Sequence, residues 1–126
     1  MKNNVVKNKS FDFAIRIVKL YQYLNNTKKE FVLSKQLLRS GTSVGAMIRE
    51  AEHAESKNDF IHKFAIAQKE ANEVIYWLEL LKATDYLSDK EFENIYNDAV
   101  TILKLITSIL KTSKNQISKK VSTINN

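Results

Sequence analysis

The chain has 126 residues, with twenty Lys or Arg against fourteen Asp or Glu, two glycines, no proline and no cysteine. This length gives one domain with a real core, and the lack of cysteine excludes a disulfide framework and thiolate metal sites. With proline absent and Leu, Ile, Lys, Glu and Ala abundant, the composition favours an all-α protein.

The first predicted helix covers about residues 10–25, with Ala14, Ile17, Tyr21 and Leu24 recurring every three or four positions. It stops at the turn-like Asn25-Asn26-Thr27. The second covers about residues 30–53 and places Leu33, Leu37, Val44, Ile48 and Ala51 on one face. Both glycines of the chain, Gly41 and Gly45, lie inside it. Each costs a helix interior about 1 kcal/mol relative to Ala, so the pair calls for a compensating close approach of a backbone or a ligand on that face.

The third helix opens at Ser56, with Asp59 three residues on as in a capping box. Phe60, Phe64, Ala67, Ala71, Val74, Leu78 and Leu81 then follow in alternating steps of four and three. The fourth opens at Ser88-Asp89-Lys90-Glu91, a complete capping box, and is expected to turn Phe92, Tyr96, Ala99, Leu103, Ile106 and Leu110 inward. After Lys111 the chain is rich in Ser, Thr, Asn and Lys. Ile117, Val121 and Ile124 keep the rhythm there, so this spacing allows either a continued helix or a frayed end. Short connections make sequential helices antiparallel, and the expected fold is an up-down-up-down four-helix bundle. The domain is residues 1–126, with a body of about 10–110 and polar, lysine-rich ends at 1–9 and 112–126.

On a wheel of 100° per residue, Ile66, Tyr76 and Leu80 fall roughly opposite the core stripe of the third helix, with Trp77 at its flank. One bundle leaves that second apolar face unused, which predicts an interface between copies of the chain.

The ordered series Arg39-Ser40-Gly41-Thr42-Ser43-Val44-Gly45-Ala46, Ile48-Arg49-Glu50-Ala51, Ser56 with Asp59-Phe60-Ile61, Ile66-Ala67, Lys69-Glu70-Ala71 and Tyr76-Trp77-Leu78 resembles the four-helix-bundle proteins encoded in intervening sequences of bacterial 23S ribosomal RNA genes. Relatives of that group include the accessory variability proteins of diversity-generating retroelements. The resemblance covers about residues 10–110. It implies a left-handed bundle assembled as a ring-shaped homopentamer with no known enzymatic activity. In the retroelement branch it implies binding to nucleic acid and to a reverse transcriptase. Met47 departs from the Asn usual in the family, removing a polar contact beside Ile48-Arg49-Glu50.

Catalytic chemistry finds little footing. There is no Gly-rich phosphate loop and no Ser paired with a base, and no catalytic residue, cofactor or metal is expected. Glu50 with His53, and Asp59 with His62, are spaced like half of a di-iron bundle site. The fourth helix offers no acid after Asp98 to complete one, which leaves Asp12 alone at that end.

The net charge of +6 has a location. Residues 1–10 hold three Lys and residues 111–126 hold four, with no acid in either, leaving thirteen basic and fourteen acidic residues between them. A basic balance invites nucleic acid. The candidate contacts in the body are Arg16 and Lys19 on the first helix, and Lys35, Arg39 and Arg49 on the second. The alternative for these side chains is ordinary solvation, or pairing with acids such as Glu50 or Glu70. No apolar run reaches the roughly 18–20 residues of a membrane span, and the first ten residues lack the apolar stretch of a signal peptide. The expectation is a cytoplasmic, non-catalytic oligomer that binds RNA or DNA, or a nucleoprotein enzyme such as a reverse transcriptase, through basic surfaces and its lysine-rich ends. The alternative is a protein-interaction scaffold that touches no nucleic acid.

Overall fold

Four helices make up the computed structural model, which describes residues 2–125 and the side chains of residues 3–122. They are α1 (Lys2–Asn26), α2 (Leu33–Glu52), α3 (Lys57–Ala83) and α4 (Asp89–Asn125), and no strand occurs among the described residues. Ile124 of the expected apolar rhythm falls outside the described side chains.

Each helix packs on its neighbours in the chain, and α4 closes the bundle against α1, while the diagonal pairs α1–α3 and α2–α4 stay apart. Cross-helix bonds fix the directions. Asn25 meets Ser34 while Lys7 meets Glu52, so α1 and α2 run antiparallel. Lys82 meets Asp89 and Gln68 meets Thr107, which sets α3 against α4 in the same way. The result is an all-α antiparallel four-helix bundle.

Local sequence explains the ends of these helices. Ser88 and Glu91 bond reciprocally, each side chain accepting the other's backbone N–H at 3.1 and 2.9 Å. Ser56 Oγ accepts the Asp59 N–H at 3.0 Å, and the Asp59 carboxylate accepts the N–H of Glu55. With no glycine available, Lys29 and Asp85 adopt the left-handed conformation after α1 and α3, at φ of 57° and 69°. Such values are uncommon for residues that carry a Cβ.

The glycines serve a close approach of α1 to α2. A methyl group on Gly41 would sit 2.8 Å from Ile17 Cγ2 and 2.9 Å from Cγ1; one on Gly45 would meet the Ser10 carbonyl oxygen at 3.4 Å. Ile17 is fully buried and β-branched, so it has little room to move. Gly41→Ala is therefore expected to lose about 1 kcal/mol, overpacking outweighing the gain in helix propensity, whereas Gly45→Ala stays neutral or gains slightly. Urea denaturation of the two variants checks this, and equal losses would contradict it.

Two expected boundaries differ from the structure. α1 begins at Lys2 instead of near residue 10, because Val6 and Ser10 extend the inward stripe of Phe13, Ile17 and Leu24 by two turns. α2 begins at Leu33, leaving Glu30 in the turn before it. Of the two outcomes the tail's spacing allowed, α4 takes the continued helix and runs to Asn125. The core face of α4 is also rotated: Ile95, Ala99, Ile102, Ile106, Ile109 and Leu110 are buried, while Phe92, Tyr96 and Leu103 are half-buried at its flank. Phe92 and Tyr96 stack with centroids 4.7 Å apart, and the Lys82 ammonium lies 4.7 Å from the Phe92 ring. The phenol thus keeps access to water.

Candidate nucleic-acid interface

The five cations expected to touch nucleic acid lie on different sides of the bundle. Arg16 ion-pairs with Asp98 in the groove between α1 and α4. Arg39 reaches across from α2 to α3, with Nη1 3.2 Å from Glu70 Oε2 and Nη2 3.2 Å from Glu73 Oε1. The Arg49 guanidinium lies 4.9 Å from the Phe11 ring centroid, between α2 and α1. Lys19 and Lys35 are exposed and have no partner among the described residues. Two of the five are therefore neutralised by acids, one is stacked, and two are open to a ligand.

Further cations were not singled out in the body of the sequence. Lys9 lines the α1–α4 groove with Asp12, Arg16 and Asp98. The Lys57 ammonium lies 5.3 Å from the Phe60 ring. Lys7 bonds Glu52 at 2.9 Å and holds that carboxyl below its ordinary pKa. The Glu50 carboxylate bonds Lys63 at 3.0 Å and holds that amine above its usual value. Charge clustering in the first ten residues signals Lys7 and Lys9; the pairing of Lys63 with a residue thirteen positions away leaves no such trace.

Glu50 and Asp59, the carboxylates of the two Glu/Asp-x-x-His pairs, are thus held by Lys63 and by the Glu55 N–H, with His53 and His62 exposed. No group of three or more His, Cys, Asp or Glu side chains converges among the described residues.

Of the expected self-association face, Tyr76 is 56% exposed, and Ile66, Trp77 and Leu80 are half-buried. Trp77 meets the Tyr76 ring edge-on at 5.0 Å, and its Nε1 is buried without a hydrogen-bond partner among the described residues. A second apolar strip was missed. Phe11, Ile15 and Val18 are exposed along α1 at i, i+4 and i+7, on the helix diagonal to α3. Their spacing was readable, but a core stripe beside it on the same helix took precedence.

Fold and surface together define a small all-α bundle protein with exposed apolar side chains on the outer faces of α1 and α3 and an excess of lysines near its two chain ends. The chain matches the family described as 23S rRNA-intervening sequence protein over residues 2–108 and belongs to that family. It is also similar to a protein with unknown function from the S23 ribosomal protein family of Bacteroides thetaiotaomicron VPI-5482, whose crystal structure was determined at 1.70 Å resolution. The two share 61% sequence identity with a TM-score of 0.87, and the match covers 88% of this chain and 99% of that one. No curated protein matches the chain. No helix among the described residues is long and apolar enough to cross a membrane.

Proposed function

We propose that this chain is a non-catalytic, cytoplasmic bundle protein that assembles with copies of itself and binds nucleic acid, alone or within a nucleoprotein enzyme such as a reverse transcriptase. The observation that carries the nucleic-acid reading is a net charge of +6 together with exposed lysines such as Lys19 and Lys35, which have no partner among the described residues and are available to phosphate. Assembly draws support from the apolar faces of α1 and α3. They sit on diagonal helices and so face away from each other, as a head-to-tail ring requires. The number five comes from the family resemblance. A ring would repeat each cationic patch around its circumference and raise affinity without new contacts.

Titration of labelled RNA and DNA with the purified protein tests this reading. Binding is expected to weaken by orders of magnitude between about 50 and 200 mM salt, with the logarithmic slope reporting the number of phosphates engaged. Light scattering is expected to give a multiple of the 14.5 kDa protomer mass. Absence of binding at the lower salt would remove nucleic acid and favour a protein-interaction scaffold, a reading already supported by the acid pairing of Arg16 and Arg39. A lone protomer would remove the ring.

A further inference from the structure

We infer that the end of the bundle where both chain termini meet is a phosphate-binding cap for the sugar–phosphate backbone of a nucleic acid. This rests on the nucleic-acid binding proposed above and deepens it: the lysine-rich ends form one principal site at a single pole of the bundle, in addition to the open lysines of α1 and α2.

An even number of antiparallel helices returns the chain to the end where it began. Lys7 near the start of α1 bonds Glu52 at the end of α2, and Ser56, Lys57 and Asn58 at the start of α3 share a groove with Ile117, Lys120 and Val121 of α4. Segments 2–9, 49–63 and 111–125 therefore form one pole. They carry ten Lys or Arg against four Asp or Glu, whereas the rest of the chain carries ten of each. The entire net charge of +6 resides at this pole. Two basic ends that look independent in the sequence are one surface in space.

The four acids are already counted in that net charge, and three of them are tied to local partners. Glu50 and Glu52 are bonded to Lys63 and Lys7, Asp59 accepts the Glu55 N–H, and Glu55 itself is exposed. Lys9, Lys111, Lys114 and Lys120 are exposed with no partner among the described residues. No acid follows Asp98 in α4, so the part of that helix at this pole carries no opposing charge. Because the tail is helical, these amines are displayed on a rod instead of a random chain. From Lys111 to Lys120 the rod advances about 14 Å at 1.5 Å per residue, room for several phosphates at the ~3.4 Å axial spacing of one strand. An anionic membrane offers similar charge, but a surface-lying helix also needs bulky apolar anchors. Residues 111–126 contain no aromatic residue and no Leu, and among the described side chains of that segment Val121 is the exposed large apolar one.

The test is fluorescence anisotropy with short labelled single-stranded RNA and duplex DNA at low and moderate salt, with anionic phosphatidylserine vesicles as a third probe. The full chain is compared with Lys111→Glu/Lys114→Glu/Lys120→Glu and with Lys19→Glu/Lys35→Glu. The pole variant is expected to bind at least about tenfold more weakly with a shallower salt slope, while the lateral variant, which reverses two lysines also open to phosphate, weakens binding by a smaller factor of about two to four. Should the Glu triple lose helicity by circular dichroism, Lys111→Gln/Lys114→Gln/Lys120→Gln carries the same expectation. Undiminished binding by the pole variant beside a weakened lateral variant would overturn the cap and leave nucleic-acid binding intact. A wild-type chain that binds vesicles but neither nucleic acid would overturn the ligand class and the functional proposal together.

Discussion

Glu30→Ala is expected to cost about 2–3 kcal/mol of folding stability, read as a lower urea midpoint at unchanged slope. Glu30 is only 7% exposed and lies in the turn before α2. Its Oε1 accepts the N–H groups of Val32 and Leu33 at 3.1 and 2.8 Å, and its Oε2 accepts that of Ser34 at 2.7 Å. Ser34 returns a bond from Oγ to the Glu30 carbonyl at 2.9 Å. A helix start normally relies on Ser, Thr, Asp or Asn at the capping position. Here Val32 occupies it and makes no side-chain cap. Glu30 supplies the missing acceptors from two residues upstream, delivered by the left-handed turn at Lys29. Truncation strands three donors around the buried Ser34. Glu30→Gln keeps an acceptor without the charge and is expected to lose about half as much. A loss below ~0.5 kcal/mol for the alanine variant would show that water replaces the carboxylate at no cost.

The same site sets an acid dependence. Burial alone would raise the Glu30 carboxyl, but the N–H groups of Leu33, Ser34 and Val32 outweigh it, and its pKa lies below the ordinary value. A folded pKa below the unfolded one means that the stabilisation is complete above the unfolded carboxylate range. It is lost as pH falls through the folded value. The stability gap between wild type and Glu30→Gln is thus expected to hold at neutral pH and to shrink below about pH 4.3. Glu91, lowered chiefly by its bond from the Ser88 N–H, weakens the start of α4 in the same direction. Denaturant titrations across that range would expose a gap that does not close.

Residue periodicity made most of α3 legible. Phe64, Ala67, Ala71, Val74, Leu78 and Leu81 are all buried, because their uninterrupted stripe outweighs the shorter apolar set of Ile66, Tyr76 and Leu80 on the opposite face. α4 offered two stripes about 100° apart at 100° per residue, one through Phe92, Tyr96 and Leu103 and one through Ile95, Ile102 and Ile109. Spacing cannot rank them, since both repeat in threes and fours. The aliphatic stripe goes inward, and the tyrosine stays where its hydroxyl reaches water. The early start of α1 was hidden because Val6 is a lone core residue in a run of Asn and Lys. Candidate contact residues were readable as types and not as partners. Asp98, which binds Arg16, is 82 positions away, and such a pairing exists only once the helices are in order.

Arg39→Ala is expected to lose about 2 kcal/mol of stability, with or without nucleic acid present. The Glu70 side chain is only 9% exposed, and Arg39, itself 50% exposed, covers it. Removing one member of a fully buried pair costs about 3–5 kcal/mol, while a surface pair contributes at most about 1. Half-exposure of the guanidinium places this pair between those limits. Its second nitrogen holds Glu73, and Arg39→Lys is expected to fall short because an ammonium cannot fork between two carboxylates. The decisive variant is Arg39→Ala/Glu70→Gln. Once the buried partner is neutral, most of the loss should return, and a double-mutant cycle should give a coupling of about 1–2 kcal/mol. A coupling near zero would show that Arg39 stabilises α2 against α3 by some route other than Glu70. The cycle also separates structure from recognition. If Arg39 contacts no phosphate, weakened nucleic-acid binding by Arg39→Ala reflects the unfolded fraction and recovers in the double variant. If it does contact phosphate, the refolded double variant stays weak.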